Sequence, residues 1–293
     1  MAKVSQPHLG VSASEDYNNN SMGLWIRSNY GFGSSKITES NLPYEANNQY
    51  NTNNIGATIG LDFGQAHDKM LGLAYSYNTG NINYKANKAK DKLQTNLFSL
   101  YGLYYVNNPL HVNALLSYGI STVTKEKFQN LSTPLSGKVK MFDALISLGY
   151  DVVLAERLAF VPSIGFEYLN YNQDKLSDTK KTYSLDAVKM NKLRLVTALG
   201  INYTSNFENL AMHFDVHGKF YQDLNNKVKI STPNTPIVME SSNDVILPRS
   251  NFNLGASLVL DFQDNVNLGI GYDYYANKDL NYNSVFLKAK LSF

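Results

Sequence analysis

The sequence predicts an all-β chain folded as a closed antiparallel transmembrane β-barrel of about twelve strands in up-and-down order. Three observations carry this expectation. Apolar and polar residues alternate with a period of two along most of the chain, the period of a strand lying between two unlike environments. The polar face of that alternation is Gly, Ser, Asn, Asp, Lys and His, whereas a soluble barrel fills its interior with branched apolar residues. Connections alternate between short and generally longer, as the turns and exterior loops of outer-membrane barrels do. A soluble lectin-like sandwich also buries apolar strand faces, but it seldom strings this many strands together with such loop alternation.

Bulk properties narrow the function classes. The 293 residues include 21 Tyr, 14 Phe and 19 Gly but 8 Pro. Charged residues make up 17%, below the usual quarter, yet mean hydropathy is slightly negative because Asn, Ser, Thr and Tyr replace the charges. A net charge of +2 gives no reason to expect a nucleic-acid partner. The absence of cysteine excludes disulfides, thiolate zinc sites and cysteine nucleophiles, and suits a chain that crosses an oxidising periplasm. No cofactor is implied. No apolar run approaches the roughly 18 residues a spanning helix requires, so membrane crossing has to be by strands. The start, Met1 to His8, lacks the apolar core of a secretory signal. A native barrel needs one for export, so the expectation is a fragment, an engineered piece or a split-gene product.

Taken in order, residues 1–21 are polar, carry Pro7, Gly10 and Asn18-Asn19-Asn20, and read as a linker or the remnant of a lumen segment; residues 22–293 read as the barrel. The first strand, about 22–34, sets Leu24, Ile26, Tyr30 and Phe32 against Trp25, Arg27 and Asn29. A polar segment to about residue 53 reads as a loop. The second strand alternates cleanly, with Ile55, Ile59, Leu61 and Phe63 against Asn54, Thr58 and Asp62, and the third places Leu71, Leu73, Tyr75 and Tyr77 outward. Residues 93–106 are mixed on both faces and give no orientation. After the turn at Asn107-Asn108-Pro109, strands five, six and seven show outward sets around Leu116, Ile146 and Phe166. Pro162 in strand seven removes a ladder donor and therefore marks an edge or bulge. Residues 172–188 read as a charged loop. Strands eight to eleven run at about 190–204, 210–220, 252–262 and 266–274, with a proline-containing loop at about 222–248. The last strand, residues 280–293, has Val285, Leu287, Ala289, Leu291 and Phe293 on one face and Ser284, Lys288, Lys290 and Ser292 on the other, with Phe286 the exception. Outer tyrosines, Tyr30, Tyr75, Tyr77, Tyr118, Tyr150, Tyr168, Tyr203, Tyr272 and Tyr274, fit interfacial girdles.

The alternation sends Arg27, Asp62, Glu167, Arg194, His213, Asp215, His217, Asp261, Asp273, Lys288 and Lys290 to the lumen. His213, Asp215 and His217 share one face of strand nine, about 7 Å apart from one to the next. That spacing admits a metal site or a general base. Ordinary lumen lining accounts for it better, because no third ligand or nucleophile is placed beside them. Opposite charges on neighbouring strands, such as Asp273 beside Lys288 or Lys290, can pair across the ladder.

The opening Leu24-Trp25-Ile26-Arg27, the stretch Gly56 to Phe63, the stretch Leu71 to Tyr77 and the closing Phe293 together resemble the C-terminal translocator β-domain of autotransporters, the type V secreted proteins. The run Asn96 to Tyr105 is similar to the barrels of rickettsial surface cell antigens. The resemblance covers about residues 22–293. It implies a non-enzymatic outer-membrane barrel that exports or anchors an N-terminal passenger domain, itself absent from this chain. It implies as partners outer-membrane lipid and the barrel assembly machinery, which reads Val285, Leu287, Ala289, Leu291 and Phe293 as a signal, with the barrel acting as a monomer. A small-solute channel, or an adhesin acting through its exterior loops, are the alternatives. Family members thread a helix through the lumen ahead of strand one, which Pro7 and Gly10 oppose here. Some cleave the passenger by asparagine cyclisation, for which Asn18-Asn19-Asn20 is the available run, though such runs are more often linker.

Overall fold

The computed structural model describes residues 22–38, 47–65, 69–85, 89–107, 109–126, 133–185, 187–208, 210–225, 228–230, 250–262 and 265–293. The readings made on residues 1–21, and most of the loop at about 222–248, lie outside the described residues. Twelve long strands form the wall: β1 Met22–Thr38, β2 Asn47–Gln65, β3 Lys69–Tyr84, β4 Lys90–Asn107, β5 Leu110–Lys125, β6 Leu135–Tyr150, β7 Leu158–Gln173, β8 Val188–Asn206, β9 Leu210–Asp223, β10 Ser250–Phe262, β11 Val266–Ala276 and β12 Leu280–Ser292. Four short pieces, Val152–Ala155, Leu176–Ser177, Ser184–Leu185 and Val228–Ile230, extend hairpins at the two rims.

Each strand pairs antiparallel with the next, and β12 returns to β1 in a register running from Gly23↔Ser292 to Ser35↔Leu280. The sheet is thereby a closed up-and-down barrel. The final residue belongs to the ladder: the Met22 N–H donates to the Phe293 carbonyl at 3.0 Å, and the Phe293 N–H donates to that of Met22 at 2.9 Å. Closure matters because lipid offers no partner to a free backbone N–H or C=O. Among the described residues no helix is long and apolar enough to cross a membrane.

The two faces of the wall differ as the alternation requires. Leu24, Ile26, Tyr30 and Phe32 of β1, and Ile55, Ile59 and Phe63 of β2, are exposed on the outer wall, while Trp25 and Asp62 are buried inside. On β4, Phe98, Leu100, Tyr104 and Val106 face out, and Tyr101 and Leu103 face in and are buried. Its lumen side is thus apolar as well, which is why residues 93–106 show no orientation in the sequence.

Several strands run further than the alternation suggests. The Asn-rich stretch before residue 54, read as a loop, is half strand: β2 begins at Asn47 and pairs with β1 through Asn51↔Ser34 and Asn53↔Phe32. The 172–188 segment also departs from a plain loop. β7 continues to Gln173, Ser177 pairs with Ser136 of β6, and Ser184–Leu185 folds back on Leu176–Ser177. In both places the ladder rises past the apolar band, where side chains can be polar on both faces and the period of two disappears. Pro162 lies where the β6–β7 ladder lapses, between Gly149↔Ser163 and the resumption at Val152↔Phe160, so its missing N–H costs no bond.

Ile59 sits mid-strand on the lipid face and Thr58 on the lumen face. Ile59→Lys should destabilise the barrel in lipid vesicles by about 2–4 kcal/mol, and Thr58→Lys by clearly less. Urea titration followed by tryptophan fluorescence measures both, and equal costs would contradict the assignment of faces.

Candidate functional site

The candidate site is the lumen, which side chains fill in three levels. At the short-turn rim, Trp25 of β1 points inward opposite Gly60. A methyl group on Gly60 would fall 2.3 Å from the indole, and one on Gly72 would fall 2.2 Å from the Tyr101 ring, so both glycines are the space into which the aromatics fold. The Trp25 Nε1–H lies 3.0 Å from both Asp62 Oδ1 and the Tyr101 hydroxyl, and that hydroxyl in turn donates to Asp62. Lys290 of β12 reaches across β1 to place its Nζ 3.3 Å from Asp62 Oδ2. Met70, Ala74 and Leu103 pack against this group. One carboxylate therefore serves three donors from three strands, one of them charged, in a setting where each would be costly alone.

Beside it at the same rim, His111 of β5 is 1% exposed and sits over Gly149, with Nδ1 3.3 Å from Asp151 Oδ1. The Tyr105 hydroxyl donates to Asp151 Oδ2 at 2.9 Å. Asp151 lies in the turn after β6, where burial pushes its carboxyl up to about 6 despite that hydrogen bond.

At mid-height, His217 stands between two carboxylates, Nδ1 2.9 Å from Asp215 Oδ1 and Nε2 3.2 Å from Asp273 Oδ1. Asn253 also reaches Asp273, at 3.4 Å. The Arg27 guanidinium stacks on Phe286 at 3.8 Å from the ring centre, so this apolar residue among the serines and lysines of the inner face of β12 is a platform for a cation. Arg27, His217, Asn253, Asp273 and Phe286, with Lys219, line a cavity of about 320 Å³. Toward the long-loop rim, Asp223 takes Lys192 at 2.5 Å and Arg194 Nε at 3.2 Å, and Arg194 Nη1 donates to Glu167 at 3.0 Å. Above that, Val123, Leu135, Val139 and Leu176 form a buried apolar cluster.

The other expected residues fall as follows. His213 is buried, with Nδ1 3.2 Å from the Thr204 hydroxyl. Asp261 is half-buried on the inward face of β10, in register with Ala211 and Asn267. Asp273 does not stand across from Lys288 or Lys290. Its partner on β12 is Ser284, while Lys288 faces Gly269 and Lys290 faces Asn267. The lysines go elsewhere, Lys290 to Asp62 and Lys288 over the Trp25 ring at 5.6 Å. On the outer face, Val285, Leu287, Leu291 and Phe293 are exposed, and Ala289 shares their side of β12. Among the described residues no three His, Asp or Glu side chains are grouped to hold a metal. Sequence reasoning missed Tyr101, His111, Lys192 and Asp223 as interior groups. Trp25 on the polar face of its strand was a signal that large side chains enter the lumen.

Asp62→Leu leaves Lys290 buried without its counter-ion and should cost about 3–5 kcal/mol in guanidinium unfolding from vesicles. Asp62→Leu with Lys290→Met should recover most of that loss. Additive costs would contradict the pairing.

Comparison with known proteins fits this architecture. Residues 24–273 match the family model described as the autotransporter beta-domain. The chain is 30% identical over 135 residues to "Outer membrane protein A" of Rickettsia conorii, covering 42% of this chain and 7% of that protein. It is 25% identical over 302 residues to "Putative surface cell antigen sca2" of the same organism, covering 96% of this chain and 16% of that protein. It therefore spans a small part of the length of the curated relatives it matches. The solved translocator domain of autotransporter NalP from Neisseria meningitidis shares the fold, with a TM-score of 0.72 at 13% identity over 95% of this chain and 90% of that one. The chain is thus a bacterial outer-membrane barrel and belongs to the autotransporter β-domain family.

Proposed function

We propose that this barrel exports or anchors a passenger domain joined N-terminal to it, and that it performs no catalysis of its own. The observation that carries the reading is the position of the start of β1. Met22 stands at the short-turn rim, hydrogen-bonded to Phe293, so any chain that precedes it joins the barrel on the periplasmic side, at the mouth of the lumen. In this reading residues 1–21 are the linker between passenger and barrel. The mid-height interior supports it: between the apolar clusters at the two rims, ion pairs and polar side chains line the wall. The outward row Val285, Leu287, Ala289, Leu291 and Phe293 is the segment offered to the assembly machinery. The closed ladder leaves no strand edge to be covered by a second copy, which favours a monomer.

A small-solute channel fits less well. Trp25, Tyr101, His111 and Leu103 occupy the short-turn half of the lumen, where a channel needs water. Fusing a folded reporter upstream of residue 1, behind a secretion signal, should bring the reporter to the cell surface, where external protease removes it. Retention in the periplasm with a correctly inserted barrel would contradict the export reading. In planar bilayers the chain should conduct poorly, and Trp25→Ala with Tyr101→Ala should raise conductance severalfold. A large ohmic conductance from the unchanged chain would favour the channel.

A further inference from the structure

The two faces of the wall follow different charge rules. Every Asp and Glu within the twelve long strands lies on the inward face. Lysine appears on the outward face as well, and not at random. On β6 the outward apolar run ends at Phe142, and the next two outward residues toward the long-loop rim are Lys140 and Lys138. On β8 the outward apolar run ends at Leu193, followed outward by Asn191 and Lys189. β7 lies between them and supplies Asn170 and Asn172.

Register places these residues in rows. Phe142, Asn170 and Asn191 form the row where the wall changes from apolar to polar, with the Asn170 amide donating to Asn191 at 2.5 Å. The next row is Lys140, Asn172 and Lys189. Two strand spacings separate its lysines, about 10 Å. Lys138, Lys140 and Lys189 are all exposed, and none makes an ion pair among the described residues. Lysines fixed in a ladder at the edge of an apolar band, facing sideways, meet the headgroups of the surrounding leaflet. On the long-loop side that leaflet is the exterior one.

We infer that the Lys140–Asn172–Lys189 row, with Lys138 above it, is a docking surface for the phosphate groups of a phosphorylated glycolipid in the outer leaflet. A cationic side chain held at an anionic membrane surface gains attraction that salt screens, and an asparagine between two such cations adds a hydrogen-bond donor to the sugar or phosphate. The inference goes beyond export of a passenger and does not depend on it.

The full chain, refolded in zwitterionic detergent and checked by heat-modifiable gel mobility, can be titrated with bisphosphorylated lipid A and with its dephosphorylated form, counting retained lipid by native mass spectrometry. Bisphosphorylated lipid A should be retained roughly tenfold better, and K140Q/K189Q should lose about that factor. K140R/K189R should keep it, and so should K69Q/K278Q, which removes the same charge from other sites. K140Q alone should show a partial loss, which keeps the test informative if the double variant refolds poorly. The inference is overturned if K140Q/K189Q retains the preference, or if K69Q/K278Q loses as much. Binding of inorganic tripolyphosphate as tight as that of lipid A would assign the row to free polyanions and overturn it equally.

Discussion

A backbone that enters hydrocarbon has to satisfy its own hydrogen bonds, and the whole barrel depends on that one constraint. Eleven strand-to-strand ladders leave two open edges, and only the pairing of β12 with β1 removes them. The register of that seam extends to the last residue, where Met22 and Phe293 exchange both of their backbone bonds. An apolar chain terminus that would be a liability in water is here the place where the wall is completed. An even number of antiparallel strands brings both ends of the wall to one rim, the rim that carries the short turns.

Closure encloses a volume, and the way it is filled bears on function. Glycines on the inner face leave room for large side chains from neighbouring strands: Gly60 for Trp25, Gly72 for Tyr101 and Gly149 for His111. Charges that cannot reach bulk water are matched, Asp62 with Lys290 and Asp223 with Lys192 and Arg194. Such pairs add little net stability over apolar packing, but each member is expensive to leave alone. Large side chains crowd the periplasmic end of β1, β3, β4 and β5, while polar groups line a cavity at mid-height.

Much of this was legible in the sequence because the two environments differ so strongly. Where lipid lies on one side and polar lumen on the other, as along Ile55 to Phe63, the period of two reads directly. It fails in β4, because Leu103 and Tyr101 fill the lumen and make both faces apolar. It fails again beyond the apolar band, where Asn47 to Asn53 remains in the ladder with a sequence polar on both faces. Of the lumen residues, the alternation gave the face but not the partner. Asp273 was expected beside Lys288 or Lys290, yet it faces Ser284 and binds His217, because pairing depends on register and the register is set by turns whose geometry the alternation does not encode. The row Lys140, Asn172 and Lys189 is invisible for the same reason, since its members become neighbours only through two ladders.

The seam itself can be measured. The chain has no cysteine, so introduced pairs report without background. Leu24 and Leu291 are register partners on the outer face, both exposed. Leu24→Cys with Leu291→Cys should form a disulfide on mild oxidation of the inserted barrel, because antiparallel partners hold their Cα atoms about 4.5–5.5 Å apart. Cleavage at a protease site engineered into the 231–249 loop would then leave the two fragments joined until reduction. Leu24→Cys with Leu287→Cys, offset by four residues along the strand, should not cross-link. Efficient bridging of the offset pair, or none of the aligned pair in a folded barrel, would contradict the closure on which the account rests.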